Sequence, residues 1–65
     1  MPRSVIYFGE YTYTSEHGDV FSPFIDIMAR TWNLAGAVFS FDEIAKMCKI
    51  PRDEQIIIVI KYGVL

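Results

Sequence analysis

Residues 50–65 read IPRDEQIIIVIKYGVL, and the fold turns on whether the consecutive aliphatic residues Ile56, Ile57, Ile58, Val59 and Ile60 form a strand or a helix. As a strand, Ile56, Ile58, Ile60 and Tyr62 face one way and Ile57, Val59 and Lys61 the other, a geometry that β-branched side chains suit. The ends favour a helix. Pro51 takes a first-turn position with Asp53 and Glu54 behind it, the charges a helix N-terminus stabilises, and Lys61 followed by Gly63 and Val64 suits a glycine-capped C-terminus. A length of about twelve residues is also helical. The helix is the leading reading, and a C-terminal strand, giving the order ββααβ, is the alternative.

Immediately upstream, SFDE at 40–43 forms a capping box: the Ser40 hydroxyl accepts from the Glu43 amide, and the glutamate reaches back to the serine amide. Phe41, Ile44, Ala45 and Cys48 then share one face, with Asp42, Glu43, Lys46 and Lys49 opposite. This helix stops near Lys49, because the residue before Pro51 is pushed out of the helical region. Further back, SPFIDIMARTWNLAG at 22–36 predicts another helix: Ser22 as N-cap, Pro23 in the first turn, Asp26, Arg30 and Asn33 along one polar stripe, and Gly36 ending it near Ala35. Residues 37–39 are short and extended at best. At the N-terminus, VIYFGEYTYT at 5–14 alternates, with Val5, Tyr7, Tyr11 and Tyr13 on one face, as a strand does. The polar loop SEHGD at 15–19 leads to a short return strand at Val20 and Phe21. The expected fold is therefore a single α+β domain over 1–65, with a hairpin over 1–21 and a three-helix, helix-turn-helix-like bundle over 22–65.

A chain of 65 residues buries only about 60% of the surface its unfolded form exposes, so stability at this size is marginal without disulfides, metal or a partner. One cysteine, Cys48, forms no internal disulfide, and with one histidine, His17, there is no cysteine and histidine cluster for zinc. A hydrophobic content of 52% leaves a surplus that tends to surface as an apolar patch. The unpaired cysteine, the lack of an apolar run near the roughly 20 residues a membrane helix needs, and a start (Met1 to Ser4) without a leader-like pattern predict a soluble cytoplasmic protein. Six Lys and Arg against eight Asp and Glu give a net charge of −2, which disfavours a phosphate-contacting nucleic-acid binder.

The run FDEIAKMCKIPRDEQIIIVIKYGVL at 41–65, a capped helix, a tight break and a helix beginning near a proline, resembles a helix-turn-helix unit of the bacterial regulator or winged-helix kind. The matching positions are Ile44, Ala45, Cys48, Ile50 and the KYGV ending at 61–64. EHGDVF and TWNLAG are a fainter likeness to winged-helix modules of phage replication proteins. The resemblance implies a DNA reader whose second helix enters the major groove, with Arg52, Lys46 and Lys49 and, at a phosphate, Arg30 as contacts. Lys49 stands where the turn glycine belongs, Gln55 where a core aliphatic belongs, and Asp53, Ile56 and Ile57 where base-reading side chains belong.

No catalytic constellation, cofactor loop or metal cluster is evident. His17 reads as a solvated loop residue and Cys48 as a small core residue. The paired acids Asp42 with Glu43 and Asp53 with Glu54 lie at helix starts, where the macrodipole explains them. A helix carrying the aliphatic run is apolar all round, so one side packs inward and the other needs cover, either from the N-terminal hairpin or from another chain. The expected function is non-enzymatic binding of protein, as a homodimer or on a larger partner in the manner of a small acidic inhibitor, through Ile56, Ile57, Ile58, Val59 and Ile60 with Tyr7, Tyr11 and Tyr13. The alternative is a DNA-binding regulator.

Overall fold

The computed structural model describes residues 4–63. Arg3, the cation nearest the N-terminal tyrosines, and Val64, placed behind the C-terminal cap, lie outside the described residues. Among the described residues, six short strands precede two helices: β1 (Val5–Tyr7), β2 (Tyr13–Thr14), β3 (Val20–Phe21), β4 (Phe24–Asp26), β5 (Thr31–Leu34), β6 (Ala37–Phe39), α1 (Phe41–Met47) and α2 (Arg52–Tyr62). An antiparallel sheet runs β1-β4-β5-β6, and β2 and β3 form a separate two-stranded ribbon. The fold is α+β, but it is not a hairpin with a three-helix bundle.

Residues 22–36, predicted as a helix, form the hairpin of β4 and β5 instead. Ile25 pairs across to Trp32, and Trp32 to Phe39. A strand lets Ile25, Trp32 and Leu34 all point to the inner face, where each is at most 2% exposed, while Phe24, Thr31 and Asn33 lie on the outer face. A helix cannot do this, since Leu34 would fall about 200° around the axis from Trp32. The turns settle the geometry. Asp26 Oδ1 accepts from the Ala29 amide at 3.2 Å, and Arg30 closes that turn at φ 53°. Ala35 (φ 54°) and Gly36 (φ 83°) then occupy the two left-handed positions of a tight hairpin loop. Asp26, at the end of β4, and Arg30, in the turn that follows, thus do not lie along a helical stripe.

The strand predicted over 5–14 is interrupted, and Pro23 explains where. Phe8 donates to the Pro23 carbonyl at 2.9 Å, but proline has no amide hydrogen to return, so the Phe8 carbonyl instead accepts from Tyr11 at 3.0 Å. That turn carries the chain out of the sheet, and the later half of the alternating stretch pairs with β3 in the ribbon. Tyr7, Tyr11 and Tyr13 therefore do not share a face. Tyr7 is 69% exposed on the outer side of the sheet, whereas Tyr11 and Tyr13 pack against the core.

Both C-terminal helices form, and the C-terminal strand does not. The capping box is complete, with Glu43 N to Ser40 Oγ and Ser40 N to Glu43 Oε1 both at 3.2 Å. α1 ends on the backbone bonds Lys49 N to Lys46 O and Ile50 N to Ala45 O, with Lys49 at φ 54°, where glycine is the usual occupant. Gln55, which departs from the aliphatic pattern, turns inward and donates its Nε2 to the Ile50 carbonyl at 2.9 Å. α2 is closed by Gly63 at φ 59°, its amide bonded to Val59 O. The core between helices and sheet joins Ile25, Trp32 and Leu34 to Phe41, Ile44, Cys48, Ile50 and Ile58.

Replacing Ala35 by Asn, which tolerates the left-handed conformation and restores the Asn-Gly pair such loops favour, is expected to raise unfolding free energy by about 0.5–1 kcal/mol. Urea denaturation followed by Trp32 fluorescence measures this, and a loss of stability would count against the hairpin.

Candidate functional site

The aliphatic run of α2 is divided by the helix itself. Successive side chains step about 100° around the axis, so Ile58 turns into the core at 4% exposure, while Ile56 (53%), Ile57 (54%) and Ile60 (79%) face outward. Val59 is half-buried between them. The ribbon does not cover this face. β-Branched residues are indifferent helix formers, and α2 is held by its ends: Asp53 and Glu54 in the first turn, Lys61 in the last, and the Gly63 cap. The outward isoleucines form an apolar ridge with Asp53 and Glu54 at one end and Lys61 at the other.

On the side of the ridge nearest the sheet, α2 and β1 with its following turn bound an open groove of about 480 Å³. Its wall on the helix presents Glu54, Ile57 and Lys61, and its wall on the strand side presents Ile6, Phe8 and Glu10. Phe8 meets Tyr62 edge-on at 5.9 Å and Tyr11 hydrogen-bonds to Glu54, which orients α2 antiparallel to this stretch of chain. Sequence reasoning missed this groove, because the turn that swings Glu10 and Tyr11 toward α2 follows from the Pro23 contact across the sheet.

The proposed DNA contacts are exposed but dispersed. Lys46 lies on α1, Lys49 in the turn after it and Arg52 in the first turn of α2, whereas Arg30 sits in the β4–β5 turn instead of on a helix. Arg30 and Arg52 border different depressions that share Phe41 and Asp42, and Lys49 borders a third with Thr12, Tyr13 and Thr14. His17 is exposed in the loop between β2 and β3, where its amide donates to Ser15 Oγ at 3.2 Å. Cys48 is buried, and burial raises its thiol pKa. Among the described residues no group of His, Cys, Asp and Glu is placed to hold a metal, and no helix is long and apolar enough to cross a membrane.

Comparison with known proteins yields no match to a family model, to a curated protein or to a solved structure.

The Tyr11 phenol is held above its ordinary value of 10.0 by desolvation, then by its hydrogen bond to Glu54 and the negative charges of Glu54 and Glu10. A raised folded-state pKa favours the protonated form in the fold, so this stabilisation is present below pH 10 and is lost as pH rises through the folded value. Spectrophotometric titration of Glu54→Gln is expected to show the Tyr11 ionisation moving down, and Tyr11→Phe to lose part of the wild type's alkaline destabilisation above pH 10.

Proposed function

We propose that this chain is a small non-enzymatic protein-interaction module that binds itself, a larger protein partner or both, and acts by occlusion or scaffolding. The observation that carries this reading is the outward face of Ile56, Ile57 and Ile60 on α2. Their exposed portions amount to about two full isoleucine side chains, so covering them contributes on the order of 3–6 kcal/mol. That is substantial beside the 5–15 kcal/mol typical of a domain. The charges support pairing of two copies, since antiparallel helices bring the acidic first turn of one against Lys61 of the other. Tyr7 remains available on the outer face of the sheet, whereas Ile58 is buried and Tyr11 and Tyr13 pack against the core.

The exposed cations Lys46, Lys49 and Arg52 around the α1–α2 turn support the rival reading, a helix-turn-helix regulator. Asp42, Glu43, Asp53 and Glu54 surround them and oppose phosphate. Affinity for duplex DNA at low salt that falls steeply as salt rises, and that Arg52→Glu weakens, would favour the rival.

Ile60→Asp is the discriminating variant for the protein-binding reading. Because Ile60 is 79% exposed, the change should leave monomer stability within about 0.5 kcal/mol. It should also shift a sedimentation concentration series toward monomer, or release a partner co-purified by the wild type. Ile58→Asp, at the buried position, should unfold the chain. Wild type that stays monomeric at high concentration and retains no partner that Ile60→Asp loses would remove this reading.

A further inference from the structure

We infer that the groove between α2 and the turn after β1 binds a small zwitterionic molecule, an organic ammonium and a carboxylate joined by a short unbranched apolar chain. This site goes beyond the protein-binding reading and uses neither Ile56 nor Ile60.

The helix supplies the pattern. Glu54, Ile57, Ile58 and Lys61 recur at i, i+3, i+4 and i+7, so one stripe of α2 carries an acid, two isoleucines and a base in that order. All four line the groove, and its volume of about 480 Å³ is that of a small-molecule site. Opposite this stripe the chain runs from Phe8 to Tyr11. The edge-on contact of Phe8 with Tyr62 sets Phe8 at the Lys61 end, and the hydrogen bond from Tyr11 to Glu54 sets Tyr11 at the acidic end. Glu10, whose charge also acts on Tyr11, adds a second carboxylate there. The groove is therefore negative at one end, positive at the other and apolar between.

Aromatic neighbours hold both charges at the groove. Lys61 Nζ lies 5.4 Å from the centre of the Tyr62 ring, a cation–π contact, and the Tyr11 phenol donates to the Glu54 carboxylate. Two helical turns, about 10 Å along the axis, separate Glu54 from Lys61, too far for a direct bridge between them. Among the described residues neither forms an ion pair. A carboxylate that accepts one phenol bond keeps an oxygen for an ammonium, and an ammonium over a ring keeps donors for a carboxylate. With contacts of about 2.8 Å at each end, the ligand's own charges stand between about 5 Å apart, for contacts in line with the groove, and about 10 Å, for contacts from its side. A six-carbon ω-amino acid falls within that span. Its methylenes then lie over Phe8 and over Ile57, which is 54% exposed. A ligand with a single charge leaves the opposite end of the groove without a partner.

The probe is aminocaproate, the six-carbon ω-amino acid, titrated into the isotopically labelled full chain and followed by amide NMR shifts. Saturable shifts are expected at Tyr11, Ile57 and Tyr62, and hexylamine and caproate, which carry one charge each, should bind at least fivefold more weakly. Across the four-, six- and eight-carbon ω-amino acids, affinity should peak at the middle member. Lys61→Met should reduce aminocaproate to the affinity of hexylamine, Glu54→Gln should weaken it at least threefold with Glu10 still present, and Ile60→Asp should leave it within twofold. Nα-Acetyl-lysine spans the same distance but branches where a polypeptide would leave the groove. Tighter binding of that compound than of aminocaproate would reassign the groove to a protein's C-terminal lysine and overturn the free-ligand site. Equal binding of aminocaproate, hexylamine and caproate, or shifts that never saturate, would overturn it outright. Neither result bears on the α2 interface, which stands or falls by the self-association or partner retention that Ile60→Asp removes.

Discussion

Trp32 ties the parts of this small chain together. It is 2% exposed, pairs with Ile25 on one side and Phe39 on the other within the sheet, and meets Phe8 at 5.2 Å and Phe41 at 4.9 Å. Phe8 begins the turn out of β1, and Phe41 is the first residue of α1. One indole therefore sets the sheet, the turn that leads to the ribbon, and the entry of the helical pair around a common centre. Each aromatic contact is worth about 0.5–1.5 kcal/mol beyond the area it buries, and the strand conformation at Trp32 is what aims it at all three.

The same arrangement leaves surfaces open. With principal extents of 34 × 30 × 17 Å, the molecule has room for one layer of sheet and one of helix. The inner face of the sheet takes Ile25, Trp32 and Leu34, and the outer face keeps Tyr7 and Val38 in solvent, 69% and 66% exposed. A domain of this size cannot wrap a second layer around itself, because too little chain remains after one core is filled. The high apolar content thus emerges on the outer sheet face and on α2.

α2 combines two roles that its short length forces together. Ile58 with Gln55 and Tyr62 fastens it to the core, Ile56 and Ile60 form an outward ridge, and Ile57 with Glu54 and Lys61 walls the groove beside β1. A helix apolar all round has no single polar face to give to water. The ridge and the groove are two consequences of one composition.

Much of the C-terminal half was legible in the residues. Ser40 and Glu43, Pro51 with its acids, and Gly63 are local signals whose partners lie within one helical turn, so α1 and α2 follow from the chain alone. The outward isoleucines were equally foreseeable, since a helix must turn part of a five-residue aliphatic run away from its core. What sequence could not resolve were contacts between distant residues. SPFIDIMARTWNLAG satisfies a helical stripe as well as a hairpin, and the hairpin wins because only strands bury Ile25, Trp32 and Leu34 on one face of a shared sheet. Likewise the break at Phe8 depends on the missing amide hydrogen of Pro23 fifteen positions away, and that break alone separates the tyrosines and creates the groove. The sequence by itself determined the helix ends and the apolar surplus, because those are set by near neighbours and composition; tertiary structure decided the strands and the site, because those depend on which distant residue lies opposite.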